Sequence, residues 1–149
     1  GVTGIKRSQF LGLVSQFLVF GDGETLKVDF NYYPFPRIER GVRFGNLEVD
    51  SIHDIAINKL HTIFMKARSR DYVDLFFILK KENYPLNKLI IDAKAKFDWH
   101  IDSITLGSQF ERVSDYEQEY PKILLPFKQE EMEAFYKNLA KSLEGEIFK

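Results

Sequence analysis

The apolar residues of this 149-residue chain change their period at one place. Up to about Val49 they come in β-rich runs or strict alternation; from Ser51 onward they recur at helical spacing. A period of two suits a half-buried strand, and a period of 3.6 suits one face of a helix. Strands first and helices afterwards read as an α+β chain, a small mainly antiparallel sheet followed by a helical section. The expected organisation is one domain over 1–149, or the C-terminal larger part of one, strand-rich over 1–49 and helical over 50–149.

Within the first section, Gln16 to Phe20 is an apolar β-rich run and Gly21-Asp22-Gly23 supplies turn chemistry. From Thr25 to Tyr32 the chain alternates: Leu26, Val28, Phe30 and Tyr32 share one face, and Lys27, Asp29 and Asn31 share the other. This predicts an antiparallel hairpin, ended by Tyr33-Pro34-Phe35-Pro36 because proline cannot donate to a ladder. Gly41 to Val49 predicts a second short hairpin turning at Gly45-Asn46. Asp50 or Ser51 then caps a helix running to about Lys66, with Asp54 as a first-turn acid. A second helix is expected from about Arg70 to Lys81, and a third from the first-turn Pro85 to about Phe97. Short helices follow over 99–118, then a connector to Pro126. The last helix is expected from Lys128 to about Glu144, with Met132, Phe135, Leu139 and Leu143 in one stripe and Gly145 as its C-cap.

Composition narrows the chemistry. With 44% hydrophobic residues and 14 Phe the chain can build a core, which excludes a disordered chain. No run of about 18 uncharged apolar residues exists, so no transmembrane helix is expected, and a cytoplasmic setting is. The absence of Cys excludes disulfides, thiol nucleophiles and Cys-based zinc sites. His53, His61 and His100 have no metal-ligand spacing, and there is no P-loop, GxGxxG or GxSxG. A net charge of −1 excludes the chain as a whole from electrostatic nucleic-acid binding. Between Arg37 and Arg70, however, seven Lys/Arg face four acids, and from Phe110 to Glu146 nine acids face five bases. A basic middle beside an acidic tail reads either as a polyanion site or as ordinary surface variation.

Three polar residues sit where apolar ones belong. Asp29 lies mid-strand between Val28 and Phe30. It is either part of a wet face or a carboxylate fixed on a rigid strand, as a Mg²⁺ ligand would be. Lys59 lies inside the stripe of the first helix: with Ile52 at 0°, it falls at about 340°, between Ile55 and Ile63. An ammonium there must snorkel out, pair with a carboxylate, or meet a ligand phosphate. Asp71 opens the apolar stripe of the second helix, flanked by Arg70 and Asp74. It is a helix-dipole partner or the counter-charge of Lys59. Arg68 and Arg70 stand at the mouth of that helix, where anions are favoured. A helical hairpin would bring Lys59 and Asp71 together, and a carboxylate–lysine–carboxylate site results if the strand carrying Asp29 packs against that hairpin.

Leu26-Lys27-Val28-Asp29-Phe30, then Asp54-Ile55-Ala56-Ile57-Asn58-Lys59-Leu60, then Arg68-Ser69-Arg70-Asp71-Tyr72-Val73-Asp74-Leu75 resemble one family in order and spacing. It is the nucleotidyltransferase-fold AbiEii/AbiGii toxin family of abortive-infection and toxin–antitoxin systems. The resemblance covers about Gln16 to Leu79. It implies Mg²⁺-dependent transfer of a nucleotide from an NTP to an acceptor such as tRNA, with a cognate antitoxin as opponent. Asp29 would be a catalytic carboxylate and metal ligand. Lys59 would contact the triphosphate, Asp71 would orient Lys59 with support from Asp74, and Arg68 or Arg70 would meet phosphate. The family also carries a Gly-Ser or Gly-Thr helix start and an Asp-x-Asp strand near its N-terminus. Gly107-Ser108 has no paired acids after it, and the chain opens Gly1-Val2-Thr3-Gly4 without Met. Two readings therefore stand: the acidic motif lies in a section ahead of Gly1, or the chain is a catalytically inactive relative acting as a protein- or RNA-binding module.

Overall fold

Three antiparallel strands open the chain in the order β1 (Val2–Phe10), β2 (Leu13–Phe20) and β3 (Thr25–Asn31). The computed structural model describes residues 1–147, and the side chains of all of these except 117–119 and 146–147. Gly23 takes φ +86° in the predicted turn between β2 and β3, a conformation that costs glycine nothing. The β2–β3 register pairs Ser15 with Asp29, Gln16 with Val28 and Leu18 with Leu26, so the expected alternation holds along the strand. The apolar row stays partly in solvent: Leu26 is 52% and Phe30 53% exposed. The strand ends at Asn31, one residue before the expected Tyr32. Gly1–Phe35 forms one compact unit and the chain from Pro36 onward a second.

The second unit begins with the short hairpin β4 (Val42–Phe44) and β5 (Leu47–Val49), turning at Gly45 with φ +57°. Among the described residues five α-helices follow: α1 (Ile52–Lys66), α2 (Ser69–Lys81), α3 (Leu86–Phe97), α4 (Ser103–Glu111) and α5 (Gln129–Ile147), with a 3₁₀ helix over Arg112–Glu119. Ser51 is the N-cap of α1; its hydroxyl accepts from the Asp54 backbone N–H at 3.0 Å. Pro85 is the N-cap of α3 rather than a residue of its first turn. Gly145 does not cap α5: the helix runs through it to Ile147, and Gly145 lacks the positive φ that a left-handed cap requires.

The helices supply the core, but two of them turn a different face inward from the one expected. Helix α1 buries Ile57, Leu60 and Phe64 while Ile52 is 47% exposed, so Lys59 stands at the edge of the buried face and not at its centre. Helix α5 buries Met132, Tyr136, Ala140 and Leu143, with Phe135 and Leu139 only partly buried. Ala56, Ile57, Leu60 and Ile63 of α1, Tyr72 and Leu75 of α2, Leu89 and Ala93 of α3, Leu106 and Phe110 of α4, and Met132 and Tyr136 of α5 are all fully buried. Helix α1 packs on α2, α3 and α4, and α4 packs on α5. Two tyrosines tie α2 into this assembly. The Tyr72 hydroxyl donates to the Gln109 carbonyl at 2.6 Å, and the Tyr136 hydroxyl donates to the Tyr72 carbonyl at 2.7 Å. Their rings meet edge to face at 5.2 Å. Burial pushes both phenols above the ordinary value, so they stay protonated donors. The residue before Tyr72 is Asp71, so these bonds also fix the start of the helix that carries the candidate site.

Candidate functional site

Lys59 and Asp71 meet within the second unit. Lys59 Nζ lies 3.0 Å from Asp71 Oδ1 and 2.6 Å from Asp74 Oδ2. The contact follows from the helix spacing. Lys59 is mid-way along α1, Asp71 and Asp74 are three apart on the first turns of α2, and the link between the helices is only Ala67 and Arg68. Asp71 is fully buried, whereas the Lys59 side chain keeps 22% exposure and Asp74 keeps 48%. Arg68 closes the other side of Asp71, with Nε 2.8 Å from Oδ2 and a second guanidinium nitrogen 3.2 Å from Oδ1. A buried carboxylate is tolerated because two cations and three donated hydrogen bonds surround it.

The arrangement leaves a specific capacity unused. An ammonium has three N–H donors, and Asp71 and Asp74 take two of those of Lys59. The third belongs to a partly exposed head held at the surface by a buried anchor. Arg70 is exposed and has no ion-pair partner among the described residues. Lys59, Arg68 and Arg70 against Asp71 and Asp74 leave one positive charge at the start of α2, where the helix dipole also favours an anion.

Asp29 belongs to the first unit, in a network of its own. Ser15, its cross-strand partner, donates its hydroxyl to Asp29 Oδ1 at 2.5 Å, and Lys27 Nζ lies 2.9 Å from Oδ2. The Ser15 bond, then the Lys27 bond, hold its carboxyl below the ordinary value, so it is ionised at neutral pH. Among the described residues no group of three His, Asp or Glu side chains is placed to hold a metal ion. A Mg²⁺ site needs several oxygen ligands, so Asp29 with this donor set does not make one.

Two buried polar pairs went unread in the sequence. Lys96 Nζ lies 2.6 Å from Asp54 Oδ1, with 1% and 0% of the side chains exposed. Asp54 also accepts the backbone N–H of Ile38 at 3.0 Å and of Glu39 at 2.8 Å, which pins the segment ahead of β4 onto α1. In the sequence Asp54 stands only as a first-turn acid of α1. Lys96 follows Leu89 and Ala93 at spacings of seven and three, so the wheel that singles out Lys59 would also have singled out Lys96. The other pair is His53 Nε2 with Asp92 Oδ2 at 2.6 Å; Lys88 also meets Asp92, at 2.8 Å. His53 Nδ1 is buried without a hydrogen-bond partner among the described residues.

No described helix is long and apolar enough to cross a membrane. No curated protein matches the chain. The fold is similar to the crystal structure of JHP933 from Helicobacter pylori, with a TM-score of 0.54 and 18% sequence identity. That match covers 97% of this chain and 65% of the other, so the chain spans less than two thirds of that protein's length. The likeness extends to the fold, an α+β arrangement of small antiparallel sheets and helices. The family model described as "Nucleotidyl transferase AbiEii toxin, Type IV TA system" matches residues 11–144, which include Asp29, Lys59, Asp71 and Asp74. The chain therefore belongs to the AbiEii nucleotidyltransferase toxin family of type IV toxin–antitoxin systems.

Proposed function

We propose that this chain handles the nucleoside triphosphate in a nucleotidyltransferase toxin, and that Lys59 is the residue that meets the phosphates. The carrying observation is the Lys59–Asp71–Asp74 contact: a partly exposed ammonium held in place by a fully buried carboxylate, with one N–H that no described residue takes. Charge stabilisation by a positioned cation is the main protein contribution to phosphoryl and nucleotidyl transfer. Asp71 orients Lys59 and Arg68 together. Arg68 and Arg70 lie at the mouth of α2, suited to further phosphate oxygens. Asp29, ionised on a rigid strand of the first unit, is the carboxylate offered to the reacting hydroxyl. The acceptor is an RNA end such as that of tRNA, and a cognate antitoxin protein opposes the activity; both rest on membership of the toxin family.

The test is calorimetric titration of the wild-type chain and Lys59→Ala with each NTP. Loss of binding in a variant that keeps the wild-type circular dichroism spectrum supports the role. Equal affinity in the two proteins removes Lys59 from the site. A second reading, a catalytically inactive binding relative, draws on the same contact, since two carboxylates satisfy Lys59 as they would in a structural ion pair. It requires RNA or protein binding without any response to NTP.

A further inference from the structure

Beside the Lys59 site, the start of α2 and the connector after the 3₁₀ helix enclose an open groove of about 440 Å³. Asp74, which holds Lys59, is one of its walls, and Arg70 is another. Phe77, Leu124 and Leu125 supply an apolar lining, and Lys122 stands with them. Leu124 is 86% and Leu125 61% exposed, an apolar surface that water does not favour. Arg70 and Lys122 are both exposed, and neither has an ion-pair partner among the described residues.

We propose that this groove is the subsite for the nucleobase and ribose of the nucleoside triphosphate whose phosphates meet Lys59. The proposal rests on the nucleotide-binding reading above and adds the seat of the base to it. Three features select this occupant. The volume falls in the range of pockets for a single small ligand, not an extended strand. An aromatic and two leucines offer the kind of flat apolar surface on which any base stacks, without the hydrogen-bond code that reads a sequence. Arg70 and Lys122, exposed cations, complement a polyanion leaving the groove, and the shared wall Asp74 puts the base next to the ammonium that receives the phosphates.

The test separates base from phosphate. Wild-type chain, Leu124→Asp, Leu125→Ala and Lys59→Ala are titrated with the four NTPs and with inorganic tripolyphosphate. Leu124 is almost fully in solvent, so its replacement leaves the fold intact, which a thermal melt checks. The expected result is a roughly tenfold weaker Kd for NTP in Leu124→Asp, a smaller loss in Leu125→Ala, and unchanged tripolyphosphate binding in both. Lys59→Ala should lose both ligands. If Leu124→Asp binds NTP as the wild type does, the proposal is overturned; weakened binding of a single-stranded RNA oligonucleotide in that variant would reassign the groove to the acceptor. If the wild type binds tripolyphosphate no worse than NTP, the base has no subsite and the proposal also falls, while the role of Lys59 stands. If the wild type binds neither, both readings fall together.

Discussion

Lys96 on α3 and Asp54 on α1 form an ion pair at 2.6 Å with both side chains out of solvent. The same carboxylate receives the backbone N–H groups of Ile38 and Glu39, so one buried charge joins α1, α3 and the segment leading into β4. Such a pair is costly to break from one side, because the survivor remains buried and charged. Lys96→Met should therefore destabilise the chain by about 3–5 kcal/mol in urea unfolding. A loss below about 1 kcal/mol would mean that water reaches Asp54 in solution.

Acid should unfold the chain in two steps. Burial lowers the pKa of His61, so the folded chain keeps it neutral while the unfolded chain takes a proton below about pH 6.5. Stability therefore begins to fall there and continues to fall toward the lower folded value. For Asp54 and Asp92 burial acts upward, but it is outweighed: by the Lys96 bond and two backbone N–H groups at Asp54, and by Lys88 and His53 at Asp92. Both carboxyls stay below the ordinary value, so their stabilisation is complete above about pH 4 and lost as pH falls through the folded values. Denaturant titrations across this range should show both steps. His61→Phe, which can keep the stack on the Phe97 ring at 3.8 Å, should remove only the first.

The two acids that hold Lys59 should behave differently. Asp71 is fully buried and answers Lys59 and Arg68 together, so Asp71→Asn should cost about 3–5 kcal/mol and weaken NTP binding. Asp74 is half exposed, so Asp74→Asn should cost less than about 1 kcal/mol. Similar losses in the two variants, measured by the same urea titration, would contradict the burial difference.

Gly41 lies against the end of β5. A Cβ built there would stand 1.8 Å from the Val49 carbonyl oxygen and 2.8 Å from the Ser51 nitrogen. Backbone cannot yield as a side-chain tip can, so Gly41→Ala should lower the melting temperature by many degrees. Gly107→Ala, where the same atom meets nothing within 4 Å, is the control and should change little or add stability within a helix.

Removing the Tyr136 hydroxyl should be a small effect at the right place. Tyr136→Phe deletes the bond to the Tyr72 carbonyl, keeps the ring contact, and should cost about 1 kcal/mol. Because Tyr72 adjoins Asp71, amide hydrogen exchange at the start of α2 should rise in this variant. Exchange unchanged there would separate the tyrosine bonds from the placement of the site.

Much of this was legible in the residues. The change of period at Ser51 marks where strands give way to helices, and Asp71 stands out because a buried charge needs a partner. Lys59 was legible as that partner, although it lies at the edge of the buried face of α1 and not at the centre of a stripe. Gly145 misled because glycine only permits a left-handed cap; without a tertiary reason to stop, α5 continues. Lys96 carried the same signal as Lys59, and Asp54 hid behind an ordinary role at a helix start.

Sequence alone determined what is local and periodic: the strand alternation, the helix limits near Ser51 and Lys66, the cap at Ser51, and the two charges that had to be answered. Only the tertiary structure decided who answers them. Residue spacing sets which side chains share a face, but partners such as Asp54 and Lys96, 42 positions apart, are chosen by how helices pack. The same holds for the groove beside Asp74, whose walls come from residues 70–77 and 121–125. Its form depends on packing that brings two distant stretches of chain together, which no period in either stretch encodes.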